Sequence, residues 1–295
     1  MFGFLNINKP EGITSFDVIA KLRKILKIKQ IGHAGTLDPF ATGVLPVCIG
    51  KATKLIDYLG KDKEYIATIK FGADTDTYDK DGQVIKTYDT KISENELSEL
   101  LNDFQGEIEQ IPPIYSAIKI NGKKLYEYAR KGENIEIKPR KVIIYKIELL
   151  EFDYENQSAK ILINCSKGTY IRSIAYDIGQ KLNCGGYLTG LVRTKSGEFN
   201  LETAINLDSI GTIEIAEKNL INPLNILNKP KYNVSDLEKD KVVHGMPIKF
   251  NQRHFISHKI DNSDDIVFLV YGDKMYGIGL LDRDSIIIKK VFETV

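Results

Sequence analysis

Gly32-His33-Ala34-Gly35-Thr36-Leu37-Asp38-Pro39-Phe40-Ala41-Thr42-Gly43-Val44-Leu45-Pro46 sets one carboxylate, Asp38, between a glycine-rich approach and a proline. The residue before proline is pushed out of the α region, and Asp-Pro favours the start of a turn. Asp38 is therefore expected on a stiff loop, its side chain aimed by the backbone. A second reading stays open from these residues, because Asp followed by Pro is also the pattern of a helix N-cap with Pro in the first turn. Gly43 and Pro46 come early for a helix of ordinary length.

The 295 residues are enough for one large domain or a large and a small one. With 42% apolar and 27% charged residues, a mostly disordered chain is excluded. Cys48, Cys165 and Cys184 are odd in number and form no Cys-x-x-Cys pair, which predicts reduced core thiols rather than a disulfide framework. The N-terminus has no basic segment leading into a long apolar one, and no run reaches membrane-spanning length. A cytoplasmic protein without membrane attachment is expected.

The net charge of +1 hides a strong polarity along the chain. Residues 1–35 hold six Lys/Arg against two Asp/Glu, and residues 115–146 hold nine against three. Residues 72–111 hold three against eleven, while 231–295 hold ten of each. Two basic segments opposed by an acidic one can follow a phosphate backbone, or can simply form solvated faces.

Thr14 or Ser15 can cap a helix whose apolar positions are Val18, Ile19, Leu22, Ile25 and Leu26, with Lys21, Arg23, Lys24 and Lys27 turned mostly to solvent. Residues 63–71 alternate Tyr65, Ala67, Ile69 and Phe71 against a second face, as a half-buried strand does. Asp81-Gly82 reads as a turn, and residues 94–104 as an acidic surface helix with Leu97, Leu100, Leu101 and Phe104 inward. Residues 115–141 interleave Tyr115, Tyr126 and Tyr128 with lysines around an Asn121-Gly122 hairpin turn. Tyrosines among cations suit RNA, and equally suit a hairpin packed on the body. Strands over about 142–153 and 158–165 follow. Ser166-Lys167-Gly168-Thr169-Tyr170-Ile171-Arg172 then opens a helix with Ile171, Ile174, Ala175, Ile178 and Leu182 inward. Beyond Asn222-Pro223 and Lys229-Pro230, short apolar runs predict a small β domain beginning near 231.

Several chemistries fail on spacing. Gly50-Lys51-Ala52-Thr53 lacks the phosphate-loop spacing, and Asp74, Asp76, Asp79 and Asp81 miss the EF-hand glycine and glutamate, leaving an acidic turn. His33, His244, His254 and His258 stand at no zinc-ligand spacing, so no metal is expected. No Gly-x-Ser-x-Gly or papain-like context supports a hydrolase. An aspartate with solution pKa of ~3.9 is ionised at neutral pH and can act as nucleophile or base without a cofactor. Chemistry at a nucleoside C1′ fits that inventory.

The chain resembles the bacterial tRNA pseudouridine synthase B (TruB) family in several blocks. They are Asn8-Lys9-Pro10-Glu11-Gly12-Ile13-Thr14-Ser15, the stretch from Gly32 through Pro39 and on to Gly50-Lys51-Ala52-Thr53-Lys54, Lys63-Glu64-Tyr65, Thr75-Asp76-Thr77 with Asp81-Gly82, Ile111-Pro112-Pro113 with Tyr115-Ser116-Ala117, and Lys167-Gly168-Thr169-Tyr170-Ile171-Arg172. They run in the family's order over about residues 1–200. The last third is similar to a PUA-type RNA-binding domain only through patches such as Val243-His244-Gly245-Met246-Pro247 and Tyr276-Gly277-Ile278-Gly279.

The resemblance implies isomerisation of uridine 55 in the T-loop (TΨC arm) of tRNA to pseudouridine, by base flipping and with no metal or organic cofactor. It implies Asp38 as the catalytic nucleophile or base, Arg172 as its ion-pair partner and Tyr170 as the group serving the proton at uracil C5. Tyr65 would stack on the uracil, Leu191 would wall the pocket and His33 would hold the T-loop. Lys9, counted among the substrate-binding positions, would with Pro10 support the catalytic loop. The implied fold is α+β, a pseudouridine synthase fold with a mixed, mostly antiparallel sheet and flanking helices over residues 1–228, with 115–141 as an RNA-gripping insertion and a small C-terminal PUA-like β-barrel over 229–295. The expected partner is the T-arm of tRNA, and the expected state a monomer.

Two rivals keep the basic segments. A non-catalytic RNA-binding or tRNA-folding protein need not keep Asp38, Tyr65, Tyr170 and Arg172 together. A guide-dependent synthase, as in archaeal and eukaryotic relatives, is disfavoured by the absence of long lysine-rich tails in this sequence.

Overall fold

The computed structural model describes residues 1–133, 135–256 and 265–292, so His258 lies outside the described residues. Two sheets organise them. The first contains β1 (Gly3–Lys9), β2 (Ile31–His33), β3 (Thr42–Ile49), β4 (Lys63–Phe71), β7 (Gly106–Gln110), β10 (Arg140–Asp153), β11 (Ser158–Cys165), β12 (Gly186–Ser196), β13 (Phe199–Asn200) and β14 (Ile205–Asn206). Between them stand two ribbons, β5 (Ala73–Thr75) with β6 (Val84–Thr87) and β8 (Lys119–Ile120) with β9 (Lys123–Lys124). The main path runs β14-β1-β3-β12-β4-β11-β10-β7, with β2 on β3 and β13 on β12. Within this sheet, among the described residues, only the β1/β14 and β3/β12 pairs are parallel, so it is mixed and mostly antiparallel.

Local signals place the helices that cover this sheet. In α1 (Ser15–Leu26), Thr14 is the cap: its hydroxyl accepts from the Asp17 amide and the Asp17 carboxylate accepts from the Thr14 amide. The helix ends where Lys27 turns left-handed at φ 58°. Its stripe of Val18, Ile19, Leu22 and Leu26 packs on Leu5, Ile7, Leu45 and Val47. Acidic α2 (Glu94–Asn102) and α4 (Ile171–Lys181) cover the other half. There the alternating Tyr65, Ala67, Ile69 and Phe71 meet Leu97, Leu101, Ile171, Ile174 and Ile178. Each such aliphatic side chain, fully buried, contributes about 1.5–3 kcal/mol.

Asp38-Pro39 starts no helix. The Ala41 amide closes a turn on the Asp38 carbonyl at 3.1 Å, and β3 begins at Thr42. Gly43 enforces this exit, with φ +100° and no room for a Cβ, which would stand 2.3 Å from the Arg193 carbonyl oxygen. The helix-capping reading of Asp38 is therefore corrected to a tight turn feeding a strand.

Within 115–141, Asn121 and Gly122 take φ 51° and 81°, as a two-residue hairpin turn requires, and α3 (Leu125–Ala129) follows. Tyr126 lies between Lys124 and Arg130, whose charges stand 5.3 and 5.4 Å from its ring centroid. The second sheet joins β15 (Lys231–Asn233), β16 (Ile248–Lys249), β17 (Ile266–Tyr271), β18 (Lys274–Asp282) and β19 (Ser285–Val291) in the order β15-β17-β18-β19-β16. It is a curled half-barrel rather than a closed one. The edge strands β15 and β16 share no backbone ladder among the described residues, and the Tyr232 hydroxyl spans the gap to the Lys249 carbonyl at 3.3 Å. The two sheets share a core, in which Phe4, Val44 and Leu55 cluster with Leu227, Phe268, Ile278 and Phe292.

Candidate active site

The loop bearing Asp38 is held from beneath and from the side by two buried cations that spend their donors on its carbonyls. Lys9 Nζ donates to Pro10 O (2.8 Å), Ile13 O (2.7 Å) and Pro39 O (3.1 Å). Arg193 donates through Nε to Val44 O (2.7 Å), Nη1 to Thr36 O (3.3 Å) and Nη2 to Gly35 O (3.2 Å). The Ser15 hydroxyl closes the remaining side, accepting from Leu37 N at 2.8 Å. Leu37 and Phe40 are buried in one apolar cluster with Tyr65, Ile171 and Leu191. With both flanks anchored, the turn presents the Asp38 side chain, 35% exposed, above the floor those residues make.

Arg172, in the first turn of α4, meets that carboxylate. Its Nη2 donates to Oδ1 at 3.2 Å, while Nε stands 3.0 Å from Oδ2, close enough for an ion pair but off the hydrogen-bond line. The same guanidinium faces a second carboxylate, Asp79 Oδ2, at 3.3 Å, and donates to the carbonyls of Thr77 (3.2 Å) and Tyr115 (3.1 Å). Arg172 is thus buried, with both Nη atoms donating and Nε left without a hydrogen bond, and it ties together the Asp38 loop, the Asp79 turn and the base of the 115–141 segment. Burial pushes the Asp79 carboxyl up and Asp38 adds to that, against the Thr77 hydroxyl, the Arg172 charge and the Asp81 amide.

Of the other expected residues, Tyr65 and Leu191 share the apolar cluster of Leu37, next to Asp38, while Tyr170, His33 and Lys9 are fixed by their own elements. Tyr65 and Leu191 are buried beside Leu37, on neighbouring strands and the same face of the sheet. Burial pushes the Tyr65 hydroxyl up, against the pull of Arg193. Tyr170 stands at the N-cap of α4, its amide and carbonyl clasped by the Gln110 side chain at 2.8 and 3.0 Å. Burial, and then the Arg193 charge, push the His33 ring in β2 below the usual histidine value, against a backbone hydrogen bond with Gly35. Lys9 lies beneath the loop with no exposed surface, and all three of its N–H groups are spent inside the protein. That place suits support of the loop and leaves it nothing to offer a substrate.

Sequence reasoning passed over Asp79 and Arg193. Asp79 was assigned to an acidic turn, although it lies inside the block from Thr75 to Gly82. Arg193 follows Leu191 by two residues, so strand alternation alone puts both on the pocket face. Among the described residues, no group of three His, Cys, Asp or Glu side chains stands close enough to hold a metal ion. The three cysteines are buried free thiols.

A family profile described as the TruB family pseudouridylate synthase N-terminal domain matches residues 23–171, and one described as the tRNA pseudouridylate synthase B C-terminal domain matches 172–227. The tRNA pseudouridine synthase B of Clostridium kluyveri is 44% identical over 283 residues, covering 95% of this chain and 96% of that protein. The chain belongs to the TruB family. Another TruB relative, from Clostridium acetobutylicum, is 44% identical over 295 residues and 99% of both chains. Among solved structures, the TruB fold seen here matches a chain of a Cbf5-Nop10-Gar1 complex with TM-score 0.71 and 27% identity, over 99% of this chain and 85% of that one. A chain of an archaeal box H/ACA sRNP Nop10-Cbf5 complex matches with TM-score 0.70 and 25% identity, over 99% and 86%. No helix among the described residues of this TruB member is long and apolar enough to cross a membrane.

Proposed function

We propose that this TruB-family pseudouridine synthase converts uridine 55 in the T-loop of tRNA to pseudouridine, with Asp38 as its catalytic group. The reaction breaks the N1–C1′ bond, joins C5 to C1′, and moves a proton from C5 while N1 gains one, so nothing is consumed. Asp38 acts at the ribose, as nucleophile at C1′ or base at C2′. The observation that carries this reading is the contrast between Asp38 and its partner: the carboxylate is partly exposed above an apolar floor, while the guanidinium that orients it is buried and held in place by the Thr77 and Tyr115 carbonyls. An ionised carboxylate held in this way is ready to react without reorganising its surroundings.

Tyr65 offers an aromatic face to a uracil turned out of its stack, offsetting part of an unstacking cost of a few kcal/mol. Leu191 walls the same pocket, Tyr170 serves the proton at uracil C5, and His33, beside the loop, holds the T-loop. The segment 115–141, where cations flank Tyr126 and Tyr128, grips the T-arm backbone. Residues 1–228 form the synthase domain and 229–295 the PUA-like domain. The reading is of a monomer working in the cytoplasm without a metal.

Purified protein incubated with an unmodified tRNA transcript, followed by pseudouridine mapping, tests this. Modification confined to position 55, with no other RNA or protein added, is the expected result. Binding of tRNA without pseudouridine formation would replace the reading with that of a tRNA-folding protein.

A further inference from the structure

Lys63 begins β4 and stands two residues before Tyr65, so the two side chains leave the same face of the strand. Its stem packs on the catalytic loop: a Cβ on Gly35 would lie 3.8 Å from Lys63 Cε. A half-buried ammonium ordinarily has an acceptor or a carboxylate. Among the described residues Lys63 has neither within bonding distance, although two carboxylates are near. Asp62 accepts from the Tyr145 hydroxyl at 3.1 Å, and Glu198 accepts the Gly60 amide at 3.0 Å from each oxygen. The nearby cations are Arg193, on β12, which donates to the carbonyls of Gly35, Thr36 and Val44, and the exposed Lys167 in the loop before α4. Lys167 follows by two residues the Cys165 that pairs with Lys63 across the ladder. Two lysines therefore stand at the end of β4 beside the Asp38 loop, and one of them, Lys63, donates to no other group among the described residues.

We propose that Lys63, assisted by Lys167, is a phosphate-binding site at the mouth of the uridine pocket, taking a backbone phosphate of the nucleotide whose base lies on Tyr65. The inference rests on the functional reading above. A phosphodiester supplies the charge and the acceptor oxygens that Lys63 lacks in the free protein, and the base, held two residues along the strand, brings its own backbone to this end. Desolvation first, and then Arg193, lower Lys63 to about 8. The ammonium is thus mostly kept at pH 7 and lost as the pH rises through 8, and a bound phosphate raises that value and draws a proton onto the complex near pH 8.

Single-turnover titrations of unmodified tRNA transcript with wild type, Lys63→Met and Lys63→Arg test the site. For Lys63→Met, the half-saturating concentration should rise about tenfold with the saturated rate nearly unchanged. The log-log salt dependence of affinity should flatten by roughly 0.7–0.9. Lys63→Arg should recover most of the affinity, and it should abolish the weakening that wild type shows as pH rises past 8. Wild-type affinity and salt slope in Lys63→Met would overturn the proposal. So would a loss in Lys63→Arg as large as in Lys63→Met, which would mark a packing role. If wild type formed no pseudouridine while Lys63→Met still lost affinity and slope, the functional reading would fail and the phosphate site would stand.

Discussion

The guanidinium of Arg172 and the carboxylate of Asp38 form a lopsided pair, in which Nη2 donates at 3.2 Å while Nε stands 3.0 Å away off the hydrogen-bond line. The lopsidedness has a cause, since the same guanidinium is shared with Asp79 and with two carbonyls. One planar fork thus serves four acceptors on three chain segments.

A lysine ammonium is a compact point charge at the end of a shorter reach, without the planar fork whose two Nη atoms serve these segments together. Arg172→Lys should slow the chemical step by roughly 10- to 100-fold, equivalent to losing about 1.5–3 kcal/mol of charge-assisted hydrogen bonding. Single-turnover rates at saturating tRNA, beside separately measured affinity, check it. Affinity should change far less than rate.

Lys9→Met should destabilise the protein by about 1–3 kcal/mol, because it strips three part-buried carbonyls of their donor at once. Since Pro39 O is one of them, the Asp38 turn loosens too, and activity should fall further than the fraction unfolded explains. Urea unfolding together with the activity of the folded fraction checks both.

Tyr65→Phe keeps the ring, and Tyr65→Leu keeps only apolar bulk. If stacking on the extruded base is the role of Tyr65, the leucine variant loses roughly 1–3 kcal/mol more in kcat/KM than the phenylalanine variant. Equal losses would move the role to the hydroxyl, which faces Arg193.

Asp177 gives a pH dependence with a definite sign. Burial raises its carboxyl from 3.8 to about 6, with only Lys181 opposing. Between those values the folded protein holds more protons than the unfolded chain, so stability is lost as pH rises through that window. Asp177→Asn should therefore stabilise the protein at pH 7 by about 1–2 kcal/mol, after allowance for solvent screening, and do nothing below pH 4. Urea unfolding at the two pH values reads the difference.

The parts of the molecule governed by local periodicity were legible in the sequence. The stripe from Val18 to Leu26, the alternation from Tyr65 to Phe71 and the Asn121-Gly122 turn each depend on neighbours a few residues away, and each forms as its spacing implies. Asp38-Pro39 was ambiguous because cap and turn share a pattern, and the contact that decides between them, Gly43 against Arg193, spans the sheet. Asp79 and Arg193 were illegible for a related reason. A buried charge looks like a surface charge in sequence when its partners are a guanidinium 93 residues away or the carbonyls of a distant loop. The order of strands likewise came from the family resemblance, since alternation says which face is buried and not which strand lies beside which.

Asp38→Asn keeps the turn and the shape of the side chain while removing its charge, so it isolates the chemistry from the fold. Pseudouridine formation by the purified variant on unmodified tRNA, measured under single-turnover conditions with tRNA affinity and thermal unfolding recorded on the same sample, tests the assignment most directly. The expected result is no detectable isomerisation with wild-type affinity and unfolding; turnover near the wild-type rate would contradict the assignment of Asp38.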